Sequence, residues 1–86
     1  MRYLVNWAPV AERELAAAWL ASRDRRAVTE AAHVIDQQPS ASPRTVGESR
    51  YGQTRIVIVE PLAALFEVIE DDRQVRVLSV WRCRDD

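Results

Sequence analysis

The second half of the chain constrains the fold most. RIVIVEP, LAALFEVIEDDR and QVRVLSVWRCR follow one another with only tight turns between them, and runs rich in Val, Ile and aromatic residues joined so closely read as neighbouring antiparallel strands. Pro61-Leu62 makes the first connection and Asp71-Asp72 the second. With Asp71-Asp72 as a two-residue loop, Glu70 faces Arg73, Glu67 faces Arg76, and Phe66 and Val68 face Val77 and Val75. Opposite charges and apolar pairs fall into register together. Strict alternation then puts Phe66, Val68, Val75 and Val77 on one face, and Leu65, Glu67, Arg76, Leu78 and Arg82 on the other. The strand before them, about Thr54 to Glu60, is apolar on both faces. That pattern predicts cover by helices on one side and by something else, such as a partner chain, on the other.

The first half reads as one strand and two helices. Tyr3 to Trp7 alternates loosely, as a short strand does. Pro9 suits the first helical position, where a missing N–H costs nothing, and AERELAAAWLAS carries Ala11, Leu15, Ala18, Trp19 and Ser22 at helical spacing. This predicts a first helix from about Pro9 to Ala21. Asp24 is the expected N-cap of a second helix whose apolar stripe is Val28, Ala31, Ala32 and Ile35. The segment Gln37 to Pro43, polar and holding Pro39 and Pro43, is expected to be the loop that leaves the helices.

Eighty-six residues make one small domain, 1–86, able to bury roughly 60% of the surface its unfolded chain exposes. The expected architecture is α+β, in the order β-α-α-β-β-β, with an α-hairpin packed on an antiparallel sheet. No segment approaches the roughly 20 apolar residues of a membrane span, and MRYLVNWAPV lacks the apolar run of a secretion signal. The expected location is therefore the cytoplasm, with no membrane partner. Cys83 is the lone cysteine and His33 the lone histidine, which leaves no clustered ligand set for a metal and implies no cofactor.

The formal net charge is -1, too balanced for a general polyanion binder, whose affinity comes from many uncompensated cations. Its distribution is uneven. Arg73, Arg76, Arg82 and Arg84 stand close together between Glu70-Asp71-Asp72 and Asp85-Asp86. All the cations are arginine; guanidinium suits bidentate phosphate contact, although a GC-rich genome also writes Arg for Lys.

In the order and spacing of these segments the chain resembles the RelE/ParE superfamily, the toxins of bacterial type II toxin–antitoxin systems, often called plasmid stabilisation proteins. VNWAPVAERELAAAWL is similar to that family's opening: a strand ending in an aromatic, a small residue, Pro, then a helix with an acid before Leu. SPRTVGESRYGQTRIVIVEP followed by LFEVIEDDRQVRVLSVWRCRD is similar to its closing meander and terminal basic cluster. The resemblance implies a toxin neutralised by a cognate antitoxin and acting either on ribosome-associated mRNA or on DNA gyrase. It leaves room for a homodimer. Arg55 matches a basic residue opening the family's second strand, and Arg82 and Arg84 match the terminal cluster. The departures are specific. Ala8 stands where the family often has a capping Ser, Leu62-Ala63 where nuclease members carry an aromatic followed by Arg, and Ile58 at a second common basic position. The final residues hold no Tyr or His to serve as acid or base. The alternative reading is thus a catalytically degenerate RelE/ParE-fold protein acting as a binding or oligomerisation module.

Backbone scission needs a base, an acid and cationic stabilisation of the phosphorane. The chain supplies the cationic part: Arg50, Arg55, Arg82 and Arg84 are the target-contact candidates, expected to gather on the sheet's open side. Glu48 and Tyr51 beside Arg50 are an acid–base constellation of lesser weight, and no catalytic residue is assigned. The competing role for Arg55, Arg82 and Arg84 is as solvated strand ends paired with Glu60, Asp85 or Asp86. His33 is expected to be an exposed helix residue. Trp7, Trp19 and Trp81 are expected to anchor the core, with Trp19 also able to fill a partner's groove.

Overall fold

The computed structural model describes residues 3–41, 48–49 and 54–83. Its elements are β1 (Leu4–Trp7), α1 (Pro9–Ala21), α2 (Arg25–Ala41), β2 (Glu48–Ser49), β3 (Thr54–Val59), β4 (Leu62–Ile69) and β5 (Gln74–Arg82). The α+β order expected from sequence is borne out, with β2 as an added two-residue strand.

The helices begin and end for local reasons. Pro9 opens α1, and Ala8, at the N-cap position, makes no side-chain hydrogen bond. Ser22 closes that helix with its N–H on the Trp19 carbonyl, and its buried hydroxyl accepts from the Asp24 N–H at 3.2 Å. Asp24 caps α2 as expected, accepting from the Ala27 N–H at 3.1 Å. Val28, Ala31 and Ile35 turn inward from α2. The expected loop at Gln37 to Pro43 is corrected in its first part, since α2 continues to Ala41. Pro39 removes one i→i−4 hydrogen bond, yet the turns before it are already held by buried side chains, so the helix outlasts the proline. Residues 42 and 43 lie outside the described residues.

The sheet order is β1-β5-β4-β3-β2. It is not antiparallel throughout: β1 pairs parallel to β5. Parallel neighbours need a long connection, and two helices and three strands separate β1 from β5 in the chain. The β4–β5 register is the expected one near the turn, with Phe66 opposite Val77, Glu67 opposite Arg76 and Val68 opposite Val75. Arg73 closes that turn with its N–H on the Glu70 carbonyl at 3.1 Å and a φ of 49°.

Both helices contribute to a core built on one face of the sheet. Phe66, Ile35, Leu62, Val28, Val75, Val77 and Val80 are its largest fully buried side chains, each removing from water apolar surface worth about 1.5–3 kcal/mol. None of the three tryptophans belongs to this set. Trp7 is half-buried and packs against the core as expected, while Trp19 and Trp81 are exposed, which corrects their expected role as core anchors.

One departure from regular pleating decides where the functional candidates point. The register shifts between Leu65 and Phe66, so that Leu65 pairs with Ser79 while Phe66 pairs with Val77, and Leu78 is the extra residue. A bulge of this kind reverses which alternate residues face the core. Before it Val75 and Val77 point inward; after it Val80 does.

Candidate functional site

Arg82 is displaced by that bulge. It pairs with Leu62, which is fully buried, so Arg82 stands on the helix-facing side and not on the open face. Arg55 pairs with Phe66 and shares the same side. Both are half-buried, and both make polar or electrostatic contacts within the protein. They are not brought together. Four residues along the sheet and two strands across separate them, about 16 Å between Cα atoms at ordinary strand spacing. Arg50, Tyr51 and Arg84 lie outside the described residues, and Glu48 is placed in β2 opposite Ile56. His33 is exposed on α2, as expected.

What the open face holds instead is apolar. Ile58 on β3 pairs with Ala63 on β4, and Ala63 pairs with Trp81 on β5. Ile58 is 64% exposed and Trp81 39%, whereas Ala63 between them is 2% exposed without belonging to the core cluster. The next row places half-buried Ile56 opposite half-buried Leu65. Charge returns one row further on, where Glu67 and Arg76 form a loose pair at 4.0 Å. Beside them Asn6 Nδ2 donates to Gln74 Oε1 at 3.2 Å. Ile58 and Ala63 are the two positions at which the resemblance implies cations in nuclease members, and here they are neighbours in one hydrophobic row. This row was readable in principle: a two-residue turn at Glu60-Pro61 forces 59 opposite 62 and 58 opposite 63.

A second apolar surface lies between the helices. A groove of about 630 Å³ is lined by Trp7, Leu15, Trp19, Leu20, Val28 and Ala32 among others. Trp19 is fixed at its side, Nε1 donating to Thr29 Oγ1 at 3.2 Å while the Arg25 guanidinium lies 4.6 Å from the ring centroid. Trp7 is held by a bond from Nε1 to Asp36 Oδ1 at 3.0 Å.

The far end of β5 is closed by α1. Where β1 has ended, Glu14 Oε1 accepts from Ser79 Oγ at 3.0 Å and from the Val80 N–H at 3.2 Å. A helix carboxylate thus takes the place of the missing strand at that edge. In the sequence Glu14 stands out only as the acid before Leu15 in the opening segment, with no role attached to it.

No protein-family model matches the sequence, and no curated protein matches it. Solved structures do. A chain of the RelBE2 toxin–antitoxin complex from Mycobacterium tuberculosis is similar at a TM-score of 0.80 and 19% identity, covering 100% of this chain and 95% of that one. A chain of the chromosomal ParDE system from P. aeruginosa is similar at 0.64 and 18% identity, over 95% of this chain and 97% of that one. The isolated E. coli RelE toxin is similar at 0.63 and 18% identity, over 98% and 87%. The two helices laid on a mixed sheet in this order are the fold of the RelE and ParE toxins.

Proposed function

We propose that this chain is the toxin component of a toxin–antitoxin pair, neutralised by a protein partner, and that it acts by binding a protein surface and not by cutting RNA. The observation that carries the reading is the Ile58–Ala63–Trp81 row. An exposed apolar patch of this kind suits a protein interface. A phosphate-binding surface needs cations aimed at the developing charge, and here the two positions that would supply them carry a sec-butyl side chain and a methyl group. Of the two target classes that the sequence resemblance implies, a DNA gyrase complex suits an apolar surface better than ribosome-bound mRNA does.

The same row favours one second reading, a non-toxic binding module that keeps only the partner contact. Two measurements separate them. Induced expression of the chain alone arrests growth under the first reading and leaves it unaffected under the second, with co-expression of the neighbouring antitoxin restoring growth in the first case. Ile58→Asp then abolishes the arrest while the protein stays folded. Growth arrest undiminished by Ile58→Asp would remove the open face from the mechanism.

A further inference from the structure

The edge of the sheet formed by β1 offers an interaction surface whose chemistry is set by its backbone. The N–H groups of Leu4 and Ala8 bond to the carbonyls of Arg73 and Val77, each at 2.9 Å. Alternation then turns the main-chain groups of Val5 and Trp7 away from β5, toward the outer side of the sheet. Natural edge strands are usually blunted by shortness, a charge, a proline or a bulge. Leu4-Val5-Asn6-Trp7 is short, at four residues, but carries no charge, proline or bulge. Leu4 is 65% exposed, and Asn6 pairs with Arg76 on the sheet's open face.

We propose that this edge joins a second copy of the same chain, β1 against β1 in antiparallel register, with the two-fold axis passing through Asn6. In that register Val5 of one copy exchanges hydrogen bonds with Trp7 of the other, and the reciprocal pair does the same, so the outward main-chain groups of Val5 and Trp7 find partners. Self-pairing is chemically permitted because the strand is uncharged: a two-fold axis sets each residue near its own copy, and like charges directly opposite are destabilising. Asn6 meets Asn6, an amide that both donates and accepts. Leu4 falls opposite Ala8 of the other copy and loses its exposure. An isologous contact of this type closes on itself as a dimer and does not propagate. The inference is independent of the toxin reading, since it rests on β1 alone.

Sedimentation equilibrium of the full chain, run up to roughly 100 µM where micromolar dimers are populated, tests it. The wild type is expected to be a monomer–dimer mixture. Val5→Pro removes an N–H that the β1–β5 ladder does not use, so it abolishes the dimer with an unchanged far-ultraviolet circular dichroism spectrum. Should that variant unfold, Asn6→Asp and Asn6→Lys keep the test open: each alone weakens self-association by about two- to fivefold, and an equimolar mixture of the two regains it. A wild-type chain monomeric throughout the range would overturn the proposal, as would a dimer equally strong in folded Val5→Pro or in both Asn6 variants.

Discussion

Ile58 and Ala63 face each other across the β3–β4 hairpin, on the side of the sheet that the helices do not cover. Trp81 extends their row, and the three make one row of the open face hydrophobic at positions where the resemblance implies cations in nuclease members. Because Ile58 is so exposed, it contributes little to folding and is a clean probe of binding. Ile58→Asp is expected to weaken the complex with a protein partner by about tenfold or more, about 1.4 kcal/mol, while the unfolding midpoint stays unchanged. Calorimetric titration of the partner, paired with urea unfolding, measures both.

The opposite face behaves in the opposite way. Phe66 is fully buried between the sheet and the helices, and truncating it to Ala removes both transfer energy and packing, at a cost of about 3–5 kcal/mol. Urea denaturation of Phe66→Ala is expected to show a loss of that size or a chain without a cooperative transition, with partner binding lost through unfolding.

Glu14 holds the β5 edge through Ser79 and Val80. Glu14→Ala leaves the Val80 N–H without its acceptor, a cost of about 1–3 kcal/mol, and amide exchange at Val80 is expected to accelerate. Glu14→Gln keeps a carbonyl oxygen at that place and is expected to recover most of the protection. Equal exchange rates in all three proteins would mean that the carboxylate has no structural part there.

One substitution is expected to stabilise. Ala8 occupies the N-cap of α1 in extended geometry with no side-chain hydrogen bond. Ala8→Ser supplies the missing acceptor for a first-turn N–H and is expected to raise stability by about 0.5–1 kcal/mol, seen as a shift in the urea midpoint.

The sequence made the local decisions visible. Pro9 and Asp24 mark helix starts through chemistry confined to one turn, and the Asp71-Asp72 loop sets the β4–β5 pairing at once, so α1, the cap of α2 and the pairs Phe66–Val77 and Glu67–Arg76 follow from neighbours in the chain. What was hidden depends on distant contacts. The extra residue at Leu78 is invisible in an alternating pattern, because either phase of VRVLSVWR is apolar on one side; the bulge therefore moved Arg82 to the helix-facing side. The parallel pairing of β1 involves residues some seventy positions apart, and the persistence of α2 past Pro39 depends on packing upstream of it. For the site, the arginines are conspicuous in the sequence as charges, whereas the surface that stands out in the fold is apolar and forms only once β3, β4 and β5 lie side by side.

The most direct test of a binding toxin is the state of the messenger RNA in cells arrested by induced expression of this chain. Primer extension across several translated messages is expected to show full-length transcripts during the arrest. Cuts at defined codon positions, absent when the chain is not induced, would contradict the account.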